Sequence, residues 1–172
     1  MSSMARFAVG FALALSLAGC ALTGFERGRI LPGQSLAEVI AIAGKPDEQR
    51  SLPDGNQALY YVFGPGGAQT WRVILGRDQR VSAVRQVLVA ENFRDVLKPG
   101  VTTMEEARIQ LGRAGLETDY PNIALAVWTY RWREFMTSMR IDLDFDRATG
   151  ILRRYNTYWD PCPSASLLCM GT

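Results

Sequence analysis

The sequence predicts an α+β fold of two tandem ααβββ repeats, with helices packed on one face of an antiparallel sheet. Three observations carry this: a run of residues that recurs after about 68 positions, a helix-start signature at each recurrence, and β-like stretches separated by turn residues after each helix.

The recurrence sets Gly33-Gln34-Ser35-Leu36-Ala37-Glu38-Val39 beside Gly100-Val101-Thr102-Thr103-Met104-Glu105-Glu106-Ala107, with one extra residue in the second copy. Ser35 with Glu38, and Thr103 with Glu106, have the spacing of a capping box, in which hydroxyl and carboxylate satisfy free N–H groups of the first turn. Leu36, Val39, Ile40 and Ala43 then recur at helical spacing. The second stripe is Met104, Ala107 and Leu111, with Arg108 at the place of Ile40. Gly44 and Gly112 fall where a helix end needs a positive φ, and Pro46 reinforces the first stop. Segments around Phe25 to Leu31 and Asn92 to Leu97 predict a brief helix ahead of each main one.

Strands follow each helix. In the first copy they are Leu59 to Phe63, Thr70 to Leu75 and Val81 to Val89, broken by Gly64-Pro65-Gly66-Gly67 and Gly76-Arg77-Asp78. In the second they are Ala124 to Trp132, Met139 to Phe145 and Ile151 to Tyr158, with a turn over Asp146 to Gly150. Met139, Ile141, Leu143 and Phe145 share one face, while Arg140, Asp142, Asp144 and Asp146 share the other. That predicts a sheet with one buried and one wet side.

Ahead of the repeats, residues 1–19 read as a secretory signal, with Arg6 followed by an apolar run from Phe7 to Leu17 that is too short to span a bilayer permanently. Leu17-Ala18-Gly19-Cys20 resembles the lipobox of bacterial lipoproteins. The resemblance implies that Cys20 is acylated and becomes the N-terminus, and Ala21 after it implies sorting to the outer membrane, facing the periplasm. Several acyl chains on one residue give durable anchoring where one chain holds weakly. The expected organisation is signal 1–19, tether and first repeat 20–91, second repeat 92–160, and tail 161–172. In an oxidising compartment Cys162 and Cys169 predict a disulfide, closing a loop worth about 2.5 kcal/mol in the chain-entropy model. A redox or metal pair is the alternative, without a Cys-x-x-Cys spacing or a histidine to support it.

Composition limits the functions to be considered. With 19 Lys and Arg against 17 Asp and Glu, the chain lacks the strong positive balance of a nucleic-acid binder. It contains no His, which removes the commonest general base and metal ligand. Asp142-Leu143-Asp144-Phe145-Asp146 has the spacing of a calcium loop, but Arg147 stands where the loop needs Gly and Arg153 where it needs Glu. No catalytic residue, metal or cofactor is therefore expected. The candidate binding residues are Trp128, Tyr130, Trp132, Tyr155, Tyr158 and Trp159, interleaved with Arg131, Arg133, Arg153 and Arg154. Tyr, Trp and Arg anchor protein interfaces. At alternating positions Trp128, Tyr130 and Trp132 would equally well fill a core beneath the helices.

Gly33-Gln34-Ser35, Glu38-Val39, Gly44-Lys45-Pro46, Pro53-Asp54-Gly55 and Leu59-Tyr60-Tyr61-Val62-Phe63 together resemble the BamE (SmpA/OmlA) family of lipoproteins. The resemblance covers about 60 residues of the first copy and implies an ααβββ fold with an accessory role in β-barrel assembly or envelope integrity. The chain differs from that family in carrying a second copy and in lacking an extended segment before the first helix. Tandem ααβββ units also resemble the fold of β-lactamase inhibitory protein, which implies an inhibitor-like or scaffolding module. Both readings make another envelope protein the partner; a carboxylate-dependent hydrolase is the alternative of a different class.

Overall fold

The computed structural model describes residues 29–160. Cys20, Cys162 and Cys169, the signal 1–19 and the tail 161–172 lie outside the described residues. The elements are α1 (Leu36–Ala43), β1 (Glu48–Ser51), β2 (Gln57–Phe63), β3 (Gln69–Leu75), β4 (Val81–Gln86), α2 (Ala90–Val96), α3 (Met104–Leu111), β5 (Leu116–Tyr120), β6 (Leu125–Glu134), β7 (Thr137–Asp146) and β8 (Leu152–Trp159). They form an α+β fold with two antiparallel sheets in the orders β1-β2-β3-β4 and β5-β6-β7-β8.

Both helix starts form as the spacing predicts. Ser35 accepts from the Glu38 N–H while Glu38 accepts from the Ser35 N–H, and Thr103 and Glu106 repeat the arrangement. Each N-cap residue also forms an isolated antiparallel bridge to the residue just before the last strand of its sheet, Ser35 to Arg80 and Thr103 to Ile151. At the other end, Gly44 (φ 81°) and Gly112 (φ 79°) stop the helices, and a tyrosine hydroxyl donates to each glycine carbonyl: Tyr61 to Gly44 at 3.2 Å, Tyr130 to Gly112 at 2.9 Å. The repeat is thus a repeat of hydrogen bonds as well as of sequence.

Two features differ from the expectation. Each sheet has a fourth strand, β1 or β5, too polar and too short to show as a period-two run. Each is held by antiparallel pairing with its neighbour. The brief helix expected before α1 is absent over residues 29–31, whereas its counterpart in the second copy is α2.

Two cores result. Val39 of α1 packs with Leu59, Tyr61, Val73, Leu75 and Val81 on one face of the first sheet. Phe93 and Leu97, with Ala107 and Leu111 of α3, pack on the second sheet. The helix α3 also meets the other face of the first sheet. Tyr60 Oη donates to the Ile109 carbonyl at 2.7 Å, Arg72 Nη1 to the same carbonyl at 2.7 Å and to Gln110 Oε1 at 2.8 Å. Glu48 accepts from the Arg113 N–H, and Arg50 pairs with Glu105 at 3.1 Å. The Arg72 guanidinium therefore sits at the carbonyl end of α3, where the helix dipole favours a cation.

Burial at this seam pushes the Tyr60 phenol up to about 12 despite the nearby Arg72. The folded protein then holds the Tyr60 proton more tightly than the unfolded chain. Its contribution to stability is complete below about pH 10, the ordinary tyrosine value, and is lost as pH rises from there toward 12. Urea melts between pH 8 and pH 12 are expected to fall less steeply above pH 10 for Tyr60→Phe than for the parent protein. Equal slopes would show that this phenol titrates as it would in water.

Candidate functional site

The second sheet separates the predicted binding residues by face. Ala126, Trp128, Tyr130 and Trp132 of β6 point toward α2 and α3 and join the core. Of the two places expected for Trp128, Tyr130 and Trp132, contact surface or core, the structure has them in the core, at 7%, 2% and 3% exposed. The physical reason is the register: they pair with Leu143, Ile141 and Met139 on the one apolar face of the sheet. Trp132 packs edge-on against Phe93 at 5.1 Å, Trp128 meets Phe145 at 5.0 Å between ring centres, and the Arg108 guanidinium lies 4.2 Å over the Trp128 ring. Arg108 in turn pairs with Glu117 at 2.7 Å, which accounts for a cation at the place of Ile40. Aligning the copies through Tyr61 and Tyr130 sets Leu59 and Phe63 opposite Trp128 and Trp132. That correspondence was a signal in the sequence that these positions belong to the core.

Tyr155 is half-buried at the rim of the same core. Tyr158 and Trp159 are exposed, at 42% and 69%. As neighbours in β8 they emerge on opposite faces, Tyr158 on the outer one.

That outer face carries Thr129, Arg131, Arg140, Asp142, Asp144, Arg154 and Tyr158, and the helices of the described residues pack elsewhere. Its charges form a lattice. Arg154 pairs with Asp144 at 2.7 Å, Arg140 with Asp142 at 3.3 Å, and Arg131 with Asp160 at 2.7 Å. Thr129 Oγ1 donates to Asp142 at 2.7 Å. A register shift between Asp144 and Phe145 bulges β8, so that Arg153 and Arg154 both turn toward carboxylates. Arg140 also lies 5.1 Å over the Tyr158 ring. In each pair the carboxylate lies deeper: Asp144 and Asp160 are 6% and 7% exposed, whereas the Arg154 side chain is 69% exposed.

Asp146 does not suit the role of a general acid. Asp146 accepts from the N–H groups of Ala148 and Thr149 in its own turn, and the Arg153 guanidinium, with Thr149, holds its carboxyl well below the usual range. A general acid needs the reverse, an environment that keeps the proton on. Among the described residues no three His, Cys, Asp or Glu side chains converge on a metal position. The pocket on this face, about 300 Å³ and lined by Leu125, Asp144, Arg153 and Arg154, is a gap in the ion-pair lattice.

Two residues that the sequence reading passed over stand out. The turn between β6 and β7 is Phe135-Met136, and these side chains are 96% and 86% exposed. The available signal was two apolar residues at a place where a two-residue hairpin normally has Gly, Asn or Asp.

No family model matches the chain, and no curated protein is similar enough in sequence to count as a relative. Among solved structures the chain is similar to a DUF4309 family protein, YjgB, from Bacillus subtilis, at 16% identity over 74% of this chain and 79% of that one, with a TM-score of 0.29. It is also similar to a candidate β-lactamase inhibitor protein from Streptococcus mutans, at 17% identity over 73% of this chain and 83% of that one, with a TM-score of 0.31. At such scores neither likeness bears on what this chain does.

Proposed function

We propose that this chain is a protein-binding module, tethered through Cys20 to the periplasmic face of an outer membrane, which docks a partner protein on the outer face of its second sheet. The observation that carries this reading is that face, on which no helix of the described residues packs and on which carboxylates that lie deeper than their partners hold guanidinium groups outward beside Tyr158. Arginine and tyrosine are enriched at interface centres because they offer large, ordered contact area with polar tips. A face whose two central strands have ten residues and whose outer strands have five and eight, about 34 Å long at its centre and about 15 Å across, gives on the order of 500 Å². That is most of the roughly 800 Å² that each partner contributes to a standard interface. The fixed pairing also lowers the ordering cost of binding, because each guanidinium is already placed by its carboxylate.

The tethered location rests on the lipobox. The BamE-like motifs support the barrel-assembly machinery as the partner, and the tandem architecture supports an inhibitor-like or scaffolding role against another envelope protein. A photo-crosslinker at position 158, on the outer face, and one at position 40, on the exposed side of α1, test the reading in intact cells. A discrete adduct from 158, lost on Arg154→Glu and not formed from 40, is the expected result, and its mass identifies the partner. Adducts of equal yield from both positions, or none from 158, would overturn docking on this face.

A further inference from the structure

We infer that the β6–β7 hairpin tip is a membrane-contacting element that seats Phe135 and Met136 in the interfacial layer of an anionic bilayer. Both side chains stand almost wholly in water, and Phe135 has φ +53°, a conformation that a bulky residue adopts at a cost. Neither residue contributes to either core. The fold therefore gains nothing from placing apolar side chains here, and the backbone would be easier with glycine.

The surroundings point to the occupant. Thr137 pairs with Glu134 and Met139 with Trp159, so the 69% exposed indole lies at the same end of the sheet, a few residues from the tip. Accessible charge at this end is mostly positive. The Arg140 and Arg131 side chains are 41% and 29% exposed, while their carboxylates on Asp142 and Asp160 are 18% and 7% exposed. Arg133 is exposed beside them, as is Glu134. Aromatic side chains at a protruding end, with guanidinium groups behind them, match the layered polarity of a bilayer interface over anionic headgroups.

Size decides against a protein partner at the tip. A stable protein interface buries about 1,200 Å² or more in total. Two side chains on a turn, with one indole nearby, supply a few hundred Å² on a convex point. A protrusion of that size suits insertion between headgroups. The contact does not depend on the sheet-face docking proposed above, and it would hold the module in one orientation on the membrane.

Depth-dependent quenching tests this. The full chain is reconstituted into phosphatidylcholine vesicles, with and without one-third phosphatidylserine, whose acyl chains are brominated near the headgroup. Fluorescence is read for the parent, for Phe135→Trp and for Ile40→Trp, the last placing an indole on the exposed side of α1. The indole added at 135 is expected to lose at least half its emission in the anionic vesicles, and several-fold less in the neutral ones. The indole added at 40 is expected to be unquenched in both. Trp159→Phe should reduce the quenching of the parent protein. Urea melts that match the parent would show that each variant is folded. Equal quenching at 135 and 40, or none at 135, would overturn the proposal, and a crosslink from position 135 to protein in place of lipid would do so as well.

Discussion

Replacing Gly112 by alanine is expected to cost about 3–5 kcal/mol of folding stability, and the same change at Gly44 only about 1–3 kcal/mol. The two glycines end equivalent helices with the same backbone, φ 79° and ψ −166° at Gly112 against φ 81° and ψ −168° at Gly44. This region is almost closed to residues with a Cβ, so each alanine carries the backbone term. The difference lies in what a Cβ would meet. At Gly44 there is nothing within 4 Å, whereas at Gly112 it would stand 2.9 Å from Tyr60 Cδ1. The Tyr60 ring is 1% exposed and hydrogen-bonded to α3, so it cannot swing aside without breaking the seam between the copies. Urea denaturation of both variants measures the contrast. Equal losses would mean that the seam yields, and that Tyr60 is held less firmly than its hydrogen bond implies.

A fragment ending at residue 91 is expected to show no cooperative unfolding transition. Cutting there removes α3 and bares the face of the first sheet on which Ala58, Tyr60 and Thr70 are now 0%, 1% and 3% exposed. Exposing one large side chain forfeits roughly 1.5–3 kcal/mol, and a chain of this size has only a few kcal/mol to lose. Val87 and Leu88 compound the loss, because they belong to the core of the second copy although they precede the cut. Circular dichroism through a urea titration decides it. A sharp transition at the midpoint of the full chain would show two independent units, with the seam a contact between finished domains.

What could be read from the sequence was whatever is settled locally. Capping boxes need a hydroxyl and a carboxylate three residues apart, and helix-ending glycines need only their own backbone, so both were legible and both copies show them. The wet and dry faces of β7 were legible because alternation over Met139 to Phe145 is unbroken. The strands β1, Glu-Gln-Arg-Ser, and β5, Leu-Glu-Thr-Asp-Tyr, were not, since they exist through the partners they pair with. Trp128, Tyr130 and Trp132 show why an aromatic run is ambiguous: alternation puts them on one face but does not say which face the helices cover. Nor does any local pattern tell that α3 would be held by two sheets. Tyr60 looks like one more residue of an aromatic strand until the tertiary contact gives its hydroxyl the Ile109 carbonyl.

The position of α3 between the sheets has a consequence for symmetry. Two interchangeable copies would each have a helix that serves one sheet. Here α1 meets that condition, with Ile40 42% exposed. The helix α3 serves two sheets, and where α1 has Ile40 it has Arg108, which lies over Trp128 and pairs with Glu117. Equivalent positions of the two halves therefore face different surroundings, and a substitution made at both is expected to act differently in each, as at Gly44 and Gly112. The two halves match in backbone and caps but are not exchangeable parts.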